Sequence, residues 1–218
     1  MIRILQVIFF IPIIIILIHT LIRIIRYFYK FPMPQFLANA IDNPLRRKIQ
    51  PPKETALRHG LKKGMHALEV GPGNGRYTIE SAKIVGSEGK VTTIDIDKKM
   101  IERVIIRLKQ ENIDNVVAEV ANVYKLPYQD DSFDIIYMIA VINEIPDQDE
   151  ALKEFHRVLK PDGVLVFSEL IMDPDYPFAK TLIRRAQNAN FKLSEKLGNF
   201  FYYTLKFKKR AQSNFCDQ

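Results

Sequence analysis

The sequence predicts an α/β protein with a doubly wound, mostly parallel sheet that ends in an antiparallel pair of strands. From Leu57 onward, apolar runs of strand length alternate with helical patterns, which is typical of a parallel sheet covered on both faces. A glycine-rich turn follows the first apolar run. Two late apolar segments are joined by Gly198-Asn199 with no helix between them, which indicates a hairpin.

The elements follow in a regular order. Each predicted helix carries apolar residues three to four positions apart, and each predicted strand is a short apolar run. The strand over 133–141 is apolar enough to be buried on both faces. The predicted strands are 66–71, 90–96, 116–121, 133–141 and 163–170, the predicted helices are 76–85, 98–111, 149–159 and 177–189, and the hairpin strands are "FKLSEKL" and "FFYYTLKFKK".

The apolar N-terminus predicts a membrane anchor over residues 1–30. The nineteen residues from Ile4 to Ile22 include none that is charged at neutral pH, and a helix of that length spans roughly 30 Å. Basic residues concentrate after the run, so the positive-inside bias places the following domain in the cytoplasm. A cleaved secretory signal and a helix buried against the domain are the alternatives, although no A-x-A pattern follows the run.

Residues 31–56 are predicted to form a proline-rich, basic junction between this anchor and the domain. Five prolines exclude one continuous helix. A short amphipathic piece ends in Arg46, Arg47 and Lys48. This piece either lies on anionic headgroups or is a solvated linker. The folded domain is predicted over 57–210, followed by a disordered polar tail over 211–218.

Charge and cysteine content narrow the classes of function. The chain of 218 residues has a formal net charge of +7, which fits an anionic membrane surface as well as nucleic acid. No module that interleaves aromatic and basic residues is visible, so no nucleic-acid partner is expected. Cys216 is the single cysteine, which excludes an intramolecular disulfide. The histidines are scattered, and no metal site is predicted.

The glycine turn "LEVGPGNG" predicts a ligand site. Gly71, Gly73 and Gly75 let backbone approach a ligand closely. A nicotinamide-binding turn has the spacing G-x-G-x-x-G and receives a diphosphate, whereas here the spacing is G-x-G-x-G. The preceding carboxylate of Glu69 suits a ligand with a positive charge. A tight connection without a ligand is the remaining alternative.

A second carboxylate follows at the end of the next predicted strand. In "TIDIDKKM", Asp95 is placed to accept hydrogen bonds from both hydroxyl groups of a ribose. Asp97 is the alternative for that role, but it directly precedes a helical pattern and is expected to cap that helix.

Four stretches together resemble the S-adenosylmethionine-dependent methyltransferases of the Rossmann-like class, over roughly residues 52–209. They are "LEVGPGNG", "TIDIDKKM", "ANVYKLPYQDDSFDIIYM" and "EALKEFHRVLKPDGVL". The last two are most similar to the branch that contains the ubiquinone and menaquinone biosynthesis methyltransferases. The resemblance implies a Rossmann-like fold with S-adenosylmethionine as the cofactor.

The resemblance also implies a set of cofactor-binding residues. It places Glu69 near the methionine amino group, Asp95 at the ribose and Ile96 beside the adenine. Asn122 stands where relatives often carry Asp, and it would accept a hydrogen bond from the adenine amino group. The alternative for Asn122 is a plain turn residue. The Val123 N–H would meet the adenine ring. The predicted cofactor-binding residues are Glu69, Gly71, Gly73, Gly75, Asp95, Ile96, Asn122, Val123 and Ala140.

The acceptor pocket is expected after the fourth strand. In this family the segment corresponding to "AVINEIPDQ" shapes that pocket, so Asn143 and Glu144 are predicted as the catalytic residues. Glu144 could act as a general base or orient a hydroxyl or amine. The alternative is a residue that begins a helix and faces solvent.

The predicted anchor suggests a lipid-like acceptor at the membrane, because a tethered domain meets lipid-soluble substrates at high effective concentration. Quinone precursors and phospholipid headgroups are the leading candidates for the methyl acceptor, and a membrane protein is the third candidate. A nicotinamide-dependent oxidoreductase and a membrane-tethered binding protein without catalysis are the other classes. The sequence gives no oligomeric state.

Overall fold

The computed structural model describes residues 44–210 and, before them, residues 14, 17, 18 and 20–25. Strands and helices alternate along the main range, with a short 3₁₀ turn over Ile142–Glu144. In chain order the elements are α1 (Pro44–Ile49), α2 (Pro52–His59), β1 (His66–Val70), α3 (Arg76–Val85), β2 (Lys90–Asp95), α4 (Lys98–Gln110), β3 (Val116–Val120), β4 (Phe133–Ile139), α5 (Gln148–Val158), β5 (Leu159–Leu170), α6 (Ala179–Asn188), β6 (Phe191–Gly198) and β7 (Tyr202–Lys209).

The strands form one seven-stranded sheet in the order β3-β2-β1-β4-β5-β7-β6. Strands β1 to β5 pair in parallel, and β7 runs antiparallel to both β5 and β6. The predicted α/β class, with its parallel sheet and C-terminal hairpin, is confirmed. The chain order reverses between β1 and β4, and ligands bind outside the carboxyl ends of strands at such a point.

Helices cover both faces of the sheet, and each face has its own apolar core. Side chains of α5 and α6 pack on one face, with Phe155 and Leu182 among the buried residues. On the other face, Ala56 of α2 and Val85 of α3 are buried against β1 and β4, and Val104 of α4 packs nearby. Strand β4 is therefore buried on both sides, as its unbroken apolar run predicts.

Two boundaries differ from the sequence prediction. Helix α2 begins at Pro52, so ordered packing starts before the predicted domain boundary at 57. Proline is tolerated there because the first turn of a helix needs no N–H donor. Strand β5 begins at Leu159 and runs through "KPDG", because Leu159 already pairs with Phe133 across an irregularity in the ladder. The predicted tail 211–218 lies outside the described residues.

The predicted anchor also lies largely outside the described residues. The residues described there are helical, and their aliphatic side chains are exposed. Among all residues that the structure describes, no helix is long and apolar enough to cross a membrane. Arg23 contacts the folded domain, since its Nη2 donates to the backbone oxygen of Tyr176 over 2.9 Å.

Candidate active site

A cleft of about 350 Å³ opens at the carboxyl ends of β1, β2 and β4. The glycine turn after β1 and the end of β2 form one wall, and the segments after β4 and β5 form the other. Helix α1 of the predicted junction contributes Arg46 to the lining. The cleft thus lies where the strand order reverses, as expected for a ligand site in such a sheet.

The glycine turn takes a backbone shape that side chains disfavour. Gly71, Gly73 and Gly75 all have positive φ angles, of 71°, 57° and 79°. A Cβ on Gly71 would lie 2.5 Å from Cγ2 of Val141, whereas a Cβ on Gly73 would meet nothing within 4 Å. Glycine at 71 is therefore required for packing, while glycine at 73 leaves room beside the turn for a ligand.

Gly75 has a different position from the other two glycines. It precedes α3 and is not among the residues that line the cleft. A Cβ there would touch the side chain of Val104 at 3.4 Å, so this glycine packs the turn against α4. Arg107 of the same helix donates to the backbone oxygen of Asn74 over 2.6 Å and fixes the turn from behind.

Glu69 lines the cleft at the end of β1, with its carboxylate nearly fully buried. Its Oε2 accepts a hydrogen bond from Thr78 Oγ1 at 2.5 Å. Burial raises the pKa of Glu69 to about 7, although the hydrogen bond from Thr78 works against that rise. A cationic group entering the cleft would favour the ionised carboxylate, because an opposite charge replaces the lost hydration.

Asp95 and Asp97 make different local contacts, and the ribose role of Asp95 stays a prediction. Asp95 ends β2 and accepts a hydrogen bond from the Asp97 N–H over 2.9 Å. Burial and the nearby charge of Asp97 raise the Asp95 pKa, opposed by backbone hydrogen bonds from Asp97 and Ile96. Asp97 is the N-cap of α4 and accepts from the Lys99 N–H at 2.9 Å, so the predicted cap is confirmed.

The remaining predicted cofactor residues line the same cleft. Ile96 lies beside Asp95, and Asn122 and Val123 follow β3. Asn122 Oδ1 accepts from the Tyr124 N–H at 3.0 Å, which is the turn role considered for it. Ala140 follows β4 with a positive φ of 58°, and its N–H bonds to the Ser168 oxygen.

The two predicted catalytic residues are placed differently. Glu144 lines the cleft. Asn143 does not, because its side-chain amide holds the surrounding loops: Nδ2 donates to the Asp175 oxygen over 2.6 Å, and Oδ1 accepts from Gln148 over 2.8 Å. The structure therefore corrects the prediction for Asn143, which supports the pocket wall instead of facing into it.

A buried ion pair that the sequence does not reveal lines the cleft. Both nitrogens of the Arg46 fork bond the Asp173 carboxylate, at 2.5 and 3.1 Å. Both side chains are about nine-tenths buried, and both line the cleft. Burial alone would lower the Arg46 pKa, but Asp173 raises it above its usual value. The pair ties helix α1 to the loop after β5, so part of the predicted junction is a wall of the site.

A row of buried, hydrogen-bonded polar side chains lies behind the cleft. His59 Nε2 and Ser168 Oγ are 2.8 Å apart, and Ser168 is equally close to Thr204 Oγ1. Burial lowers the His59 pKa to about 3, helped by the charges of Lys206 and Arg58. These hydrogen bonds join α2 to β5 and β7, and the lowered pKa keeps His59 neutral. Among the described residues, no group of His, Cys, Asp and Glu could hold a metal ion.

The geometry fits S-adenosylmethionine. A buried carboxylate suits its ammonium group, a second carboxylate after β2 suits the ribose, and the open side of Gly73 leaves space for the chain between them. The family comparison agrees, since a model described as Methyltransferase domain matches residues 61–208. The chain belongs to this methyltransferase-domain family.

Its curated relatives point to one branch. The chain is 39% identical to a demethylmenaquinone methyltransferase of Staphylococcus aureus strain MRSA252 over 123 residues, which are 56% of this chain and 50% of that protein. The same protein from strain JH9 is 37% identical over the same shares. The chain thus spans about half the length of the curated relatives it matches.

Solved structures share the fold at low sequence identity. A SAM-dependent methyltransferase from Aquifex aeolicus superposes with a TM-score of 0.75 at 22% identity, covering 81% of this chain and 98% of that one. The PH0226 protein from Pyrococcus horikoshii gives 0.63 at 20% identity, covering 78% and 93%. These similarities establish the architecture.

Proposed function

We propose that this protein methylates a lipid-soluble, quinone-type acceptor at a membrane surface, with the N-terminal segment as its anchor. The proposal rests on the residues that form the wall of the cleft. Beyond the cofactor residues its wall continues through Val141, Ile145, Pro146 and Pro174, with Glu144 as a carboxylate among them. Asp173, which is paired with Arg46, and Asp175 also line this part of the cleft. A mainly apolar space with a carboxylate at hand suits a ring that bears a hydroxyl group.

The relatives named demethylmenaquinone methyltransferases support the choice of acceptor. A hydroquinone ring is flat and apolar, and it becomes a carbon nucleophile when its hydroxyl loses a proton. Phospholipid headgroups are the second candidate, because the carboxylates of Glu144 and Asp175 in the same wall could also receive an ethanolamine amine. A protein acceptor would need an open groove at the same place.

The chemistry divides between ligand and protein. S-adenosylmethionine supplies an electrophilic methyl group on a sulfonium sulfur. The chain holds the two reactants in line, which can contribute several kcal/mol. Glu144 accepts the hydroxyl proton of the acceptor as the new C–C bond forms and the C–S bond breaks. The ring proton at the methylated carbon is then lost to solvent, and Glu144 returns its proton to the oxygen, which restores the aromatic hydroquinone. S-adenosylhomocysteine and the methylated hydroquinone are the products.

The membrane part of the proposal comes from the N-terminus. The run from Ile4 to Ile22 is uncharged, and the described residues between 14 and 25 expose their aliphatic side chains. We place the domain on the cytoplasmic side, because basic residues follow the run. A tether would bring the cleft to an acceptor that does not leave the bilayer.

The test follows labelled methyl transfer by the full chain in lipid vesicles that contain a reduced, demethylated quinone. Label is expected in the quinone fraction and not in phosphatidylethanolamine or protein. Asp95→Ala should weaken calorimetric binding of S-adenosylhomocysteine by about 100-fold, since hydrogen bonds to a charged group contribute about 1.5–3 kcal/mol each.

Glu144→Gln separates catalysis from cofactor binding. Binding of S-adenosylhomocysteine should persist, while turnover falls by about 10²- to 10⁴-fold, the usual contribution of a general base. Unchanged turnover would remove Glu144 from catalysis. Cofactor binding without transfer to any of the three acceptors would favour the binding-protein alternative.

A further inference from the structure

Exposed aromatic side chains cluster beside the mouth of the cleft. Phe178 precedes α6 and is 58% exposed, and Phe200 and Phe201 in the turn between β6 and β7 are 55% and 63% exposed. The rings of Phe178 and Phe200 stack with centroids 6.1 Å apart. We propose that these three residues, the aromatic lip, insert into the headgroup region of an anionic lipid bilayer.

The lip is continuous with the wall of the cleft. Leu170 pairs with Tyr202, so the β6–β7 turn lies at the carboxyl end of β5, the edge at which the cleft opens. The loop after β5 lines the cleft through Asp175, and the next residue, Tyr176, packs edge-on against Phe178 and Phe200. The Tyr176 hydroxyl also donates to the backbone oxygen of Phe200.

The apolar N-terminal segment meets the same surface. Arg23 donates to the Tyr176 backbone oxygen, and its guanidinium lies 5.9 Å from the centre of the Tyr176 ring. The described aliphatic residues around Arg23 are exposed, as the lip is. One tyrosine therefore joins the exposed apolar helix, the aromatic lip and the loop that lines the cleft.

Charge selects an anionic bilayer as the occupant. Basic side chains flank the lip, whereas the basic residues at the end of β7 lie at the far end of the hairpin, because Lys208 pairs with Val164, well before the carboxyl end of β5. Lys180 and Lys196 lie close to the lip in sequence, and both are exposed. Each basic residue near an anionic surface contributes about 1 kcal/mol, and phenylalanine side chains of interfacial elements are buried at the boundary of headgroups and acyl chains. Aromatic and basic residues together match that environment better than a protein surface.

This inference rests on the proposed function only in requiring a membrane-held acceptor. With the lip seated at headgroup level, the cleft mouth would face the bilayer directly. The acceptor ring could then enter the apolar half of the cleft without crossing bulk water. The N-terminal segment would hold the protein on the membrane, and the lip would set its orientation.

The absence of tryptophan from the chain allows a direct test. Phe201→Trp introduces a single fluorescent reporter into the lip. Ile106→Trp is the matched control, because Ile106 is 57% exposed on α4, near the opposite edge of the sheet. Both full-length variants are reconstituted into vesicles of phosphatidylcholine and phosphatidylglycerol with brominated acyl chains. Emission from the Phe201→Trp variant should be at least halved relative to unbrominated vesicles, while the control stays nearly unchanged.

The outcomes separate the possible occupants. Equal emission of the Phe201→Trp variant in brominated and plain vesicles would overturn the inference. A blue-shifted but unquenched emission would overturn it as well, since it would mean that a second copy or the chain's own N-terminal segment covers the lip. Phe178→Trp provides a second reporter if the first variant is unstable, and binding of S-adenosylhomocysteine verifies that each variant is folded. No methyl transfer is measured, so failure of lip insertion is distinguishable from failure of the proposed function.

Discussion

The two halves of the cleft are built in different ways. The cofactor half is built mainly from two short segments, 69–73 and 95–97, shaped by backbone geometry and a helix cap, and Asn122, Val123 and Ala140 complete it. The half that contains Glu144 joins residues far apart in the chain and includes the Arg46–Asp173 pair. The first half is thus determined by local sequence, and the second exists only once the tertiary structure has formed.

The largest effect is expected from breaking the ion pair. Arg46→Ala leaves the Asp173 carboxylate buried without its partner, which should lower the free energy of unfolding by about 3–5 kcal/mol, measured by urea denaturation. Arg46→Met combined with Asp173→Leu should recover most of that loss, because no charge is then left unpaired.

The exposed Lys63–Glu88 pair serves as the control. Both side chains are 68% exposed, so Lys63→Ala should cost less than 1 kcal/mol, as surface pairs usually do. If Arg46→Ala proved as mild as Lys63→Ala, the acceptor half would not depend on the pair.

A smaller effect is expected from the glycine turn, and it contrasts two neighbouring positions. Gly71→Ala brings a methyl group against Val141 at a positive φ, which should destabilise the protein by about 2–4 kcal/mol in thermal unfolding. Gly73→Ala has the same backbone strain but open space, so about 1–2 kcal/mol is expected.

The double variant Gly71→Ala with Val141→Ala should regain part of the loss at Gly71. Equal destabilisation by the two single glycine variants would mean that φ alone, and not the contact with Val141, sets the requirement for glycine.

The smallest effect is expected in the pH dependence of cofactor affinity, which involves only the cofactor half of the cleft. With its pKa raised to about 7, Glu69 ionises as pH rises towards neutrality, and only the ionised form attracts the ammonium group of the cofactor. Affinity for S-adenosylhomocysteine should rise by about tenfold between pH 5.5 and pH 7, measured by calorimetry. Glu69→Gln should flatten this profile.

Stability of the unliganded protein should change in the opposite direction. The folded state holds a proton on Glu69 that the unfolded chain releases near its usual pKa of 4.5, so the Glu69 contribution is lost as pH rises from that value to about 7. A wild-type minus Glu69→Gln stability difference that grew with pH would contradict the buried state of this carboxylate.

The sequence predicted most of the sheet and the cofactor half because their signals are local. Helix α3 has the bounds that its sequence pattern predicts, and the Asp97 cap follows from its position before a helical pattern. The Arg46–Asp173 pair is separated by 127 residues, so no short pattern could indicate it. The contact of His59 with Ser168 is missed for the same reason. The orientation of Asn143 depends on the loop around Asp175, which its own neighbours in sequence do not reveal. The roles of the cofactor residues stay predictions until ligand binding is measured.

The Arg46–Asp173 pair has a consequence for protein engineering. A chimera that gives this enzyme another N-terminal segment must be joined before Pro44, because a junction placed at the start of β1 would discard one wall of the cleft along with the segment. Fusions that retain α1 should keep both halves of the cleft, whereas a domain trimmed to residues 61–208, the range of the family match, would lose Arg46 and also the core contacts of α2.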